Sequence, residues 1–150
     1  MRCFAPLLAL CLAACGPQYV ANVVTSEDEI PARAAYFTEE PLQLAEVFRA
    51  GCDSPGDEFA TLGNGVVQCR IPPTPDLAAF LLLTFDGALE VPMLIIQKDT
   101  KPEGDGLLVE MSYFAEVVQK SGAPRRIYFK QPRLDALVDS MLQSAGGETR

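Results

Sequence analysis

Between Leu107 and Val117, apolar and polar side chains alternate: Leu107, Val109, Met111, Tyr113, Ala115 and Val117 share one parity, and Glu110, Ser112 and Glu116 share the other. Successive side chains of a strand point to opposite faces, so this pattern predicts a long strand with one core-facing side. Its expected neighbours are short. Phe59 to Leu62 and Val66 to Ile71 flank Gly63-Asn64-Gly65 and read as a hairpin. Val67, Cys69 and Ile71 share one face of that hairpin while Gln68 and Arg70 point away, so Cys69 is expected to face inward. Leu77 to Phe85 and Ala88 to Gln97 flank Asp86-Gly87, and a two-residue Asp-Gly between apolar runs predicts a second hairpin. A helix capped by Asp76 and running through Ala78, Ala79 and Leu83 competes for residues 76–84, and periodicity alone leaves it open. Lys101 to Gly106 reads as a polar turn, and Ser121-Gly122-Ala123-Pro124 turns the long strand into Arg125 to Gln131.

Helical signals bracket these strands. Thr38 is placed to cap a helix whose first turn holds Glu39, Glu40 and Pro41, which suit the positive end of the dipole. Leu44, Val47 and Phe48 make its apolar face, and Gly51 is the expected left-handed stop. Pro132 opens a last helix with Leu134, Leu137, Val138, Met141 and Leu142 at helical spacing, ending near Gly146. The expected fold is α+β: an antiparallel β-meander of about five or six strands with an N-terminal and a C-terminal helix and one disulfide. Residues 34–146 form a single domain, and residues 147–150 are expected to be disordered.

The first fifteen residues carry a different message. Met1-Arg2 precedes an apolar run from Phe4 to Ala14, too short to span a bilayer, and Leu12-Ala13-Ala14-Cys15-Gly16 follows. This segment resembles the lipobox signal peptide of bacterial lipoprotein precursors. The resemblance implies removal of residues 1–14 by cleavage between Ala14 and Cys15, a diacylglycerol on the Cys15 thiol and an acyl chain on the new amino group. Membrane lipid would then be a partner through Cys15, since several acyl chains exceed the threshold for stable anchoring. Gly16 rather than Asp after the lipidated cysteine implies an outer-membrane location facing the periplasm. Residues 15–33, with Gly16, Pro17, Asn22, the acidic run Glu27-Asp28-Glu29 and Pro31, read as the lipidated N-terminus and a flexible tether.

Of five cysteines, Cys3 and Cys11 leave with such a signal and Cys15 is acylated, so Cys52 and Cys69 remain as a pair. In an exported protein that pair reads as a disulfide joining the end of a helix to a core-facing strand. A redox dithiol would want Cys-x-x-Cys spacing, which is absent.

Composition narrows the chemistry. The chain has no histidine, so the commonest general base and neutral metal ligand are missing. Two cysteines do not complete a structural zinc site, and no EF-hand pattern, nucleophile elbow or phosphate-cradling glycine loop occurs. No metal and no cofactor beyond the acyl groups is expected. The formal charge is −8, yet residues 120–133 hold Lys120, Arg125, Arg126, Lys130 and Arg133 and no acid. Arg126, Tyr128 and Lys130 fall at period two, opposite Ile127 and Phe129, a cation–aromatic stripe suited to an anionic ligand or an acidic envelope protein. The competing reading is a solvated face whose cations guard a sheet edge. Nucleic acid suits an exported acidic domain poorly.

These features favour a non-enzymatic binding or assembly module on the periplasmic side of the envelope. The alternative is a small carboxylate-dependent hydrolase or transferase, for which Asp53, Asp57 and Glu58 form the notable acidic cluster.

Overall fold

The computed structural model describes residues 23–24, 31–88 and 90–149, the first two by backbone alone. The signal peptide, the Ala14–Cys15 cleavage position and most of the expected tether lie outside the described residues. Eight strands form one antiparallel sheet: β1 Val23–Val24, β2 Ala32–Phe37, β3 Glu58–Gly63, β4 Val66–Ile71, β5 Met93–Glu103, β6 Gly106–Val118, β7 Pro124–Phe129 and β8 Glu148–Thr149. Three described helices, α1 Leu42–Ala50, α2 Pro75–Thr84 and α3 Pro132–Ser144, complete the α+β fold.

The alternating segment is β6, and everything is arranged about it. On one edge it pairs with β5 along its whole length, from Glu103↔Gly106 to Met93↔Glu116. Its other edge is shared: β2 takes Leu107 to Ser112, and β7 takes Phe114 to Val118. Strands β3 to β7 run as the expected meander, β8 extends β2, and β1 extends β7. Val109, Met111, Tyr113, Ala115 and Val117 are all buried, and they join two core clusters. One contains Leu44 and Phe48 of α1 with Val138 and Leu142 of α3; the other contains Leu81 of α2. All three described helices therefore lie on the odd-numbered face of β6.

The β3–β4 hairpin forms as the sequence predicts. Gly63 pairs with Val66 across Asn64 and Gly65, whose φ values of 52° and 82° belong to the mirror-image turn that matches strand twist. Cys69 faces the helices and is bonded to Cys52 just beyond α1, with a Cα–Cα distance of 5.6 Å.

Four expectations are corrected. Residues 75–84 are helix, not a strand of an Asp-Gly hairpin: Pro75 sits at the first helical position, Asp76 lies in the first turn, and Leu81 is fully buried. Asp86 and Gly87 instead end that helix. Asp86 adopts φ 52° and the Gly87 N–H reaches back to the Leu82 carbonyl at 2.9 Å, a Schellman-type stop. A Cβ on Gly87 would stand 2.6 Å from the Leu82 side chain, so close packing also requires glycine there. Second, α1 begins at Leu42 behind Pro41 with no side-chain cap, and Thr38, Glu39 and Glu40 precede it. Third, Gly51 is right-handed at φ −73°, so it closes α1 without the left-handed conformation. Fourth, β2 starts at Ala32 inside the expected tether, and Glu148–Thr149 pair with Tyr36 and Ala35 where disorder was expected. In both cases long-range pairing satisfies backbone groups that local sequence leaves unassigned.

Polar contacts fix α3 over the sheet. Arg33 of β2 donates to both carboxylate oxygens of Asp139, through Nε at 2.7 Å and Nη2 at 2.5 Å, and that contact is the main reason its pKa is raised. The Tyr113 hydroxyl accepts from the Gln131 N–H at 3.0 Å and donates to Asp135 Oδ1 at 3.0 Å, so it replaces the missing side-chain cap of α3. Burial raises the pKa of that phenol.

The Cys52–Cys69 bond closes a loop for which chain entropy gives about 3 kcal/mol of stabilisation. Replacing both cysteines with Ala should lower unfolding free energy by about that amount in denaturant titration. Alkylation of the folded protein without reductant should label neither residue; ready labelling of both would remove the staple.

Candidate functional site

The face of the sheet opposite the helices carries Ile95, Gln97 and Asp99 of β5, Glu110, Ser112, Phe114 and Glu116 of β6, and Arg126 and Tyr128 of β7, as the register requires. Its centre is apolar. Ile95 and Phe114 are 1% and 2% exposed although no described helix lies over them. Charged side chains laid across the sheet account for part of that cover. Arg70 on β4 reaches over β5 to Glu116, with Nη2–Oε1 at 3.1 Å, and also approaches Glu58 at 3.9 Å. The Arg126 guanidinium lies 5.0 Å from the centre of the Phe114 ring, and Tyr128 packs on Phe114 at 5.3 Å. Gln68, 2% exposed, donates to Gln97 Oε1 at 2.8 Å and so satisfies its amide inside this layer.

Of the expected stripe, Arg126 and Tyr128 are brought together on this face. Lys130 follows the end of β7 and is exposed, outside the ladder. Arg126 stands opposite Glu116 in register, but Arg70 engages that carboxylate, and Arg126 forms no ion pair with a described residue. Its N–H donors are therefore presented from an aromatic platform with no charged partner. The other cations of the cluster are committed elsewhere or apart: Lys120 pairs with Asp86, and Arg125 stacks 5.6 Å over Phe85 on the helix side. The edge beside the stripe is not bare along its length, since Val23 and Val24 pair with Phe129 and Tyr128.

The acidic alternative does not assemble into a paired-carboxylate cleft. Asp57 accepts from the Ser54 N–H at 3.2 Å within a turn, Glu58 faces Arg70, and Asp53 is exposed. Cys52, Asp57 and Cys69 approach one another closely enough to suggest a metal cluster. Both sulfurs are bonded to each other, so no thiolate is present to ligate.

A second site went unrecognised in the sequence. Lys98 on β5 stands between Val67 and Met111 in register, on the helix-facing side of the sheet. It lines a groove of about 490 Å³ between α1 and the β3–β4 hairpin, with Phe48, Phe59, Val67, Thr61 and Thr100. Lys98 Nζ donates to Thr100 Oγ1 at 2.8 Å, and Glu40 and Asp99 act on it only through space. Burial lowers its pKa below 10.5, the dominant effect, while those acids oppose the shift. The signal was parity: Leu94, Ile96, Lys98 and Thr100 share one side, so a lysine occupies a core-facing register position.

The chain matches no family model, no curated protein and no solved structure. Among the described residues, no helix is long and apolar enough to cross a membrane.

Lys98 and Lys101 should titrate in opposite directions from the ordinary value of 10.5. Lys101, hydrogen-bonded by Glu110 and Asp99, is pushed up to about 12. Lys98 gives up its proton at lower pH folded than unfolded, so alone it makes stability rise with pH until 10.5. Lys101 contributes stability that is fully present below 10.5 and is lost as pH climbs through about 12. Side-chain NMR titration should show the Lys98 amine deprotonating first, and the reverse order would contradict the groove geometry.

Proposed function

We propose that this protein is a lipid-anchored, non-enzymatic binding or assembly module of the bacterial cell envelope. On this reading Cys15 carries the acyl chains, residues 1–14 are removed, and the domain faces the periplasm from the outer membrane. The lipobox-like Leu12-Ala13-Ala14-Cys15 supports the anchor. The observation that carries the binding role is Arg126: a guanidinium stacked on Phe114 beside Tyr128, without a carboxylate partner, on the sheet face that no described helix covers. Such a group favours a carboxylate or phosphate oxygen, so the partner is an acidic envelope protein or an anionic ligand. The disulfide-stapled core favours a rigid presenting scaffold, and the dispersed Asp53, Asp57 and Glu58 give catalysis no paired geometry.

Mass spectrometry of membrane-extracted protein should find an acylated Cys15 as the N-terminal residue, and Cys15→Ser should leave an uncleaved, unacylated precursor. An unmodified N-terminus downstream of Cys15 would sink the anchor.

Changing Arg126 and Lys130 together to Gln should weaken partner association by roughly 1–3 kcal/mol, and the wild-type interaction should weaken as salt rises. Folding stability should move by no more than about 0.5 kcal/mol, because both side chains are exposed. Quantitative pull-down from solubilised envelope reads this directly. Unchanged capture together with increased aggregation would assign the stripe to edge protection instead.

A further inference from the structure

We propose that the groove between α1 and the β3–β4 hairpin is a binding site for a small amphipathic carboxylate, with Lys98 and Thr100 taking the head group and Phe48, Phe59 and Val67 holding the apolar body. The groove is independent of the Arg126 face, since the two lie on opposite sides of the sheet.

The argument begins with the placement of Lys98. A core-facing register position on β5, flanked by β4 and β6, calls for an apolar side chain, and Leu94 and Ile96 supply one at the two preceding positions. A lysine there takes an ammonium out of water, which is costly unless a partner compensates. The ammonium has three donors; Thr100 accepts from one, and no described carboxylate forms an ion pair with it. The remaining donors line an open groove. Its volume, about 490 Å³, falls in the range of roughly 300–1,000 Å³ typical of small-ligand sites.

The rest of the lining selects the ligand. Phe48, Phe59 and Val67 offer an apolar wall, and the Arg49 guanidinium is held 4.5 Å over the Phe59 ring, at the edge of the groove. Glu40 and Glu46 also line it. Two acids beside Lys98 disfavour a multiply charged head group such as phosphate and leave room for a single negative charge. The close approach that shapes one end is obligatory: Gly65 has φ 82°, its carbonyl accepts from the Thr100 N–H at 3.2 Å, and a Cβ on it would run into the Thr100 carbonyl oxygen. The turn is therefore held against β5, and Val66 and Val67 are fixed along the groove.

Hexanoate is the probe, titrated into the full chain carried in zwitterionic nanodiscs, with methyl-labelled Leu42, Ala45, Val66 and Val67 as reporters by NMR. Saturable shifts confined to those methyls are expected. Inorganic phosphate and hexylamine should produce shifts at least about tenfold weaker in apparent affinity, because one lacks the apolar body and the other has the wrong charge. Lys98→Met, which keeps the length of the side chain and removes the charge, should reduce hexanoate affinity at least about tenfold. Ala45→Trp, on the exposed rim, should block the groove with Lys98 intact and serves as the deciding variant if Lys98→Met does not fold. Hexanoate bound equally by a folded Lys98→Met, matched by hexylamine, or retained in Ala45→Trp would overturn the proposal.

Discussion

Burial of the odd-numbered face of β6 is the interaction on which the rest of the structure depends. Val109, Ala115 and Val117 are fully buried, Met111 and Tyr113 nearly so, and each helix packs against this one row. A fully buried side chain of Val, Met or Phe size stabilises by roughly 1.5–3 kcal/mol, so the row and what packs on it supply much of the driving force for folding. The geometry is economical because β6 is long enough to be shared. Along one edge it carries β5, and along the other β2 and β7 in succession, which brings the start, middle and end of the domain to one strand. Loss of order in β6 would therefore release all three helices together.

Putting every described helix on one side has a consequence for the polar groups. Those on the helix side have to be satisfied within a packed layer, and most are. Arg33 is locked to Asp139, and the Tyr113 hydroxyl is held between Gln131 and Asp135. Lys98 differs, because its only described hydrogen-bond partner is the Thr100 hydroxyl. On the opposite face the same logic runs in reverse. There the apolar centre at Ile95 and Phe114 is roofed by long charged side chains, and Arg126 is the roofing residue with no ion-pair partner. Each face thus presents one cation whose bonding capacity the fold leaves partly unused, and these are the two places where a ligand gains most.

What the sequence made legible is the part governed by short-range pattern. β6, the Asn64-Gly65 hairpin, the inward direction of Cys69 and the course of α3 all follow from alternation, turn chemistry or helical spacing within about a dozen residues. The misreadings share a different cause. Residues 77–83 are apolar on every side, so neither period is distinguishable, and Asp86-Gly87 serves a helix stop as readily as a hairpin. β2 is built on Ala32, Ala34 and Ala35, which have weak strand preference, and it exists because a distant β6 offers an unpaired edge. Glu148–Thr149 add to β2 for the same reason. Lys98 was visible in the alternation, but its meaning depends on knowing that the parity of Leu94 and Ile96 faces α1, which is a tertiary fact.

The pairing of Val23–Val24 with β7 changes what a lipid at Cys15 would impose on the domain. A free tether over residues 15–33 would reach about 60 Å when fully stretched. With β1 fixed to Phe129 and Tyr128, only the eight residues from Cys15 to Val23 remain between the proposed anchor and a fixed point, a reach of at most about 28 Å. That point adjoins Tyr128, beside Arg126 on the helix-free face and one residue before the β-strand gives way to exposed Lys130. The lipoprotein reading and the sheet register together place the cationic stripe near the membrane surface. A partner for Arg126 is then reached within the headgroup-proximal layer, where an acidic segment of another membrane-held protein is concentrated by its own anchor. Confinement of both partners to that layer raises their effective concentration, so modest contacts at one arginine and its aromatic platform suffice for association.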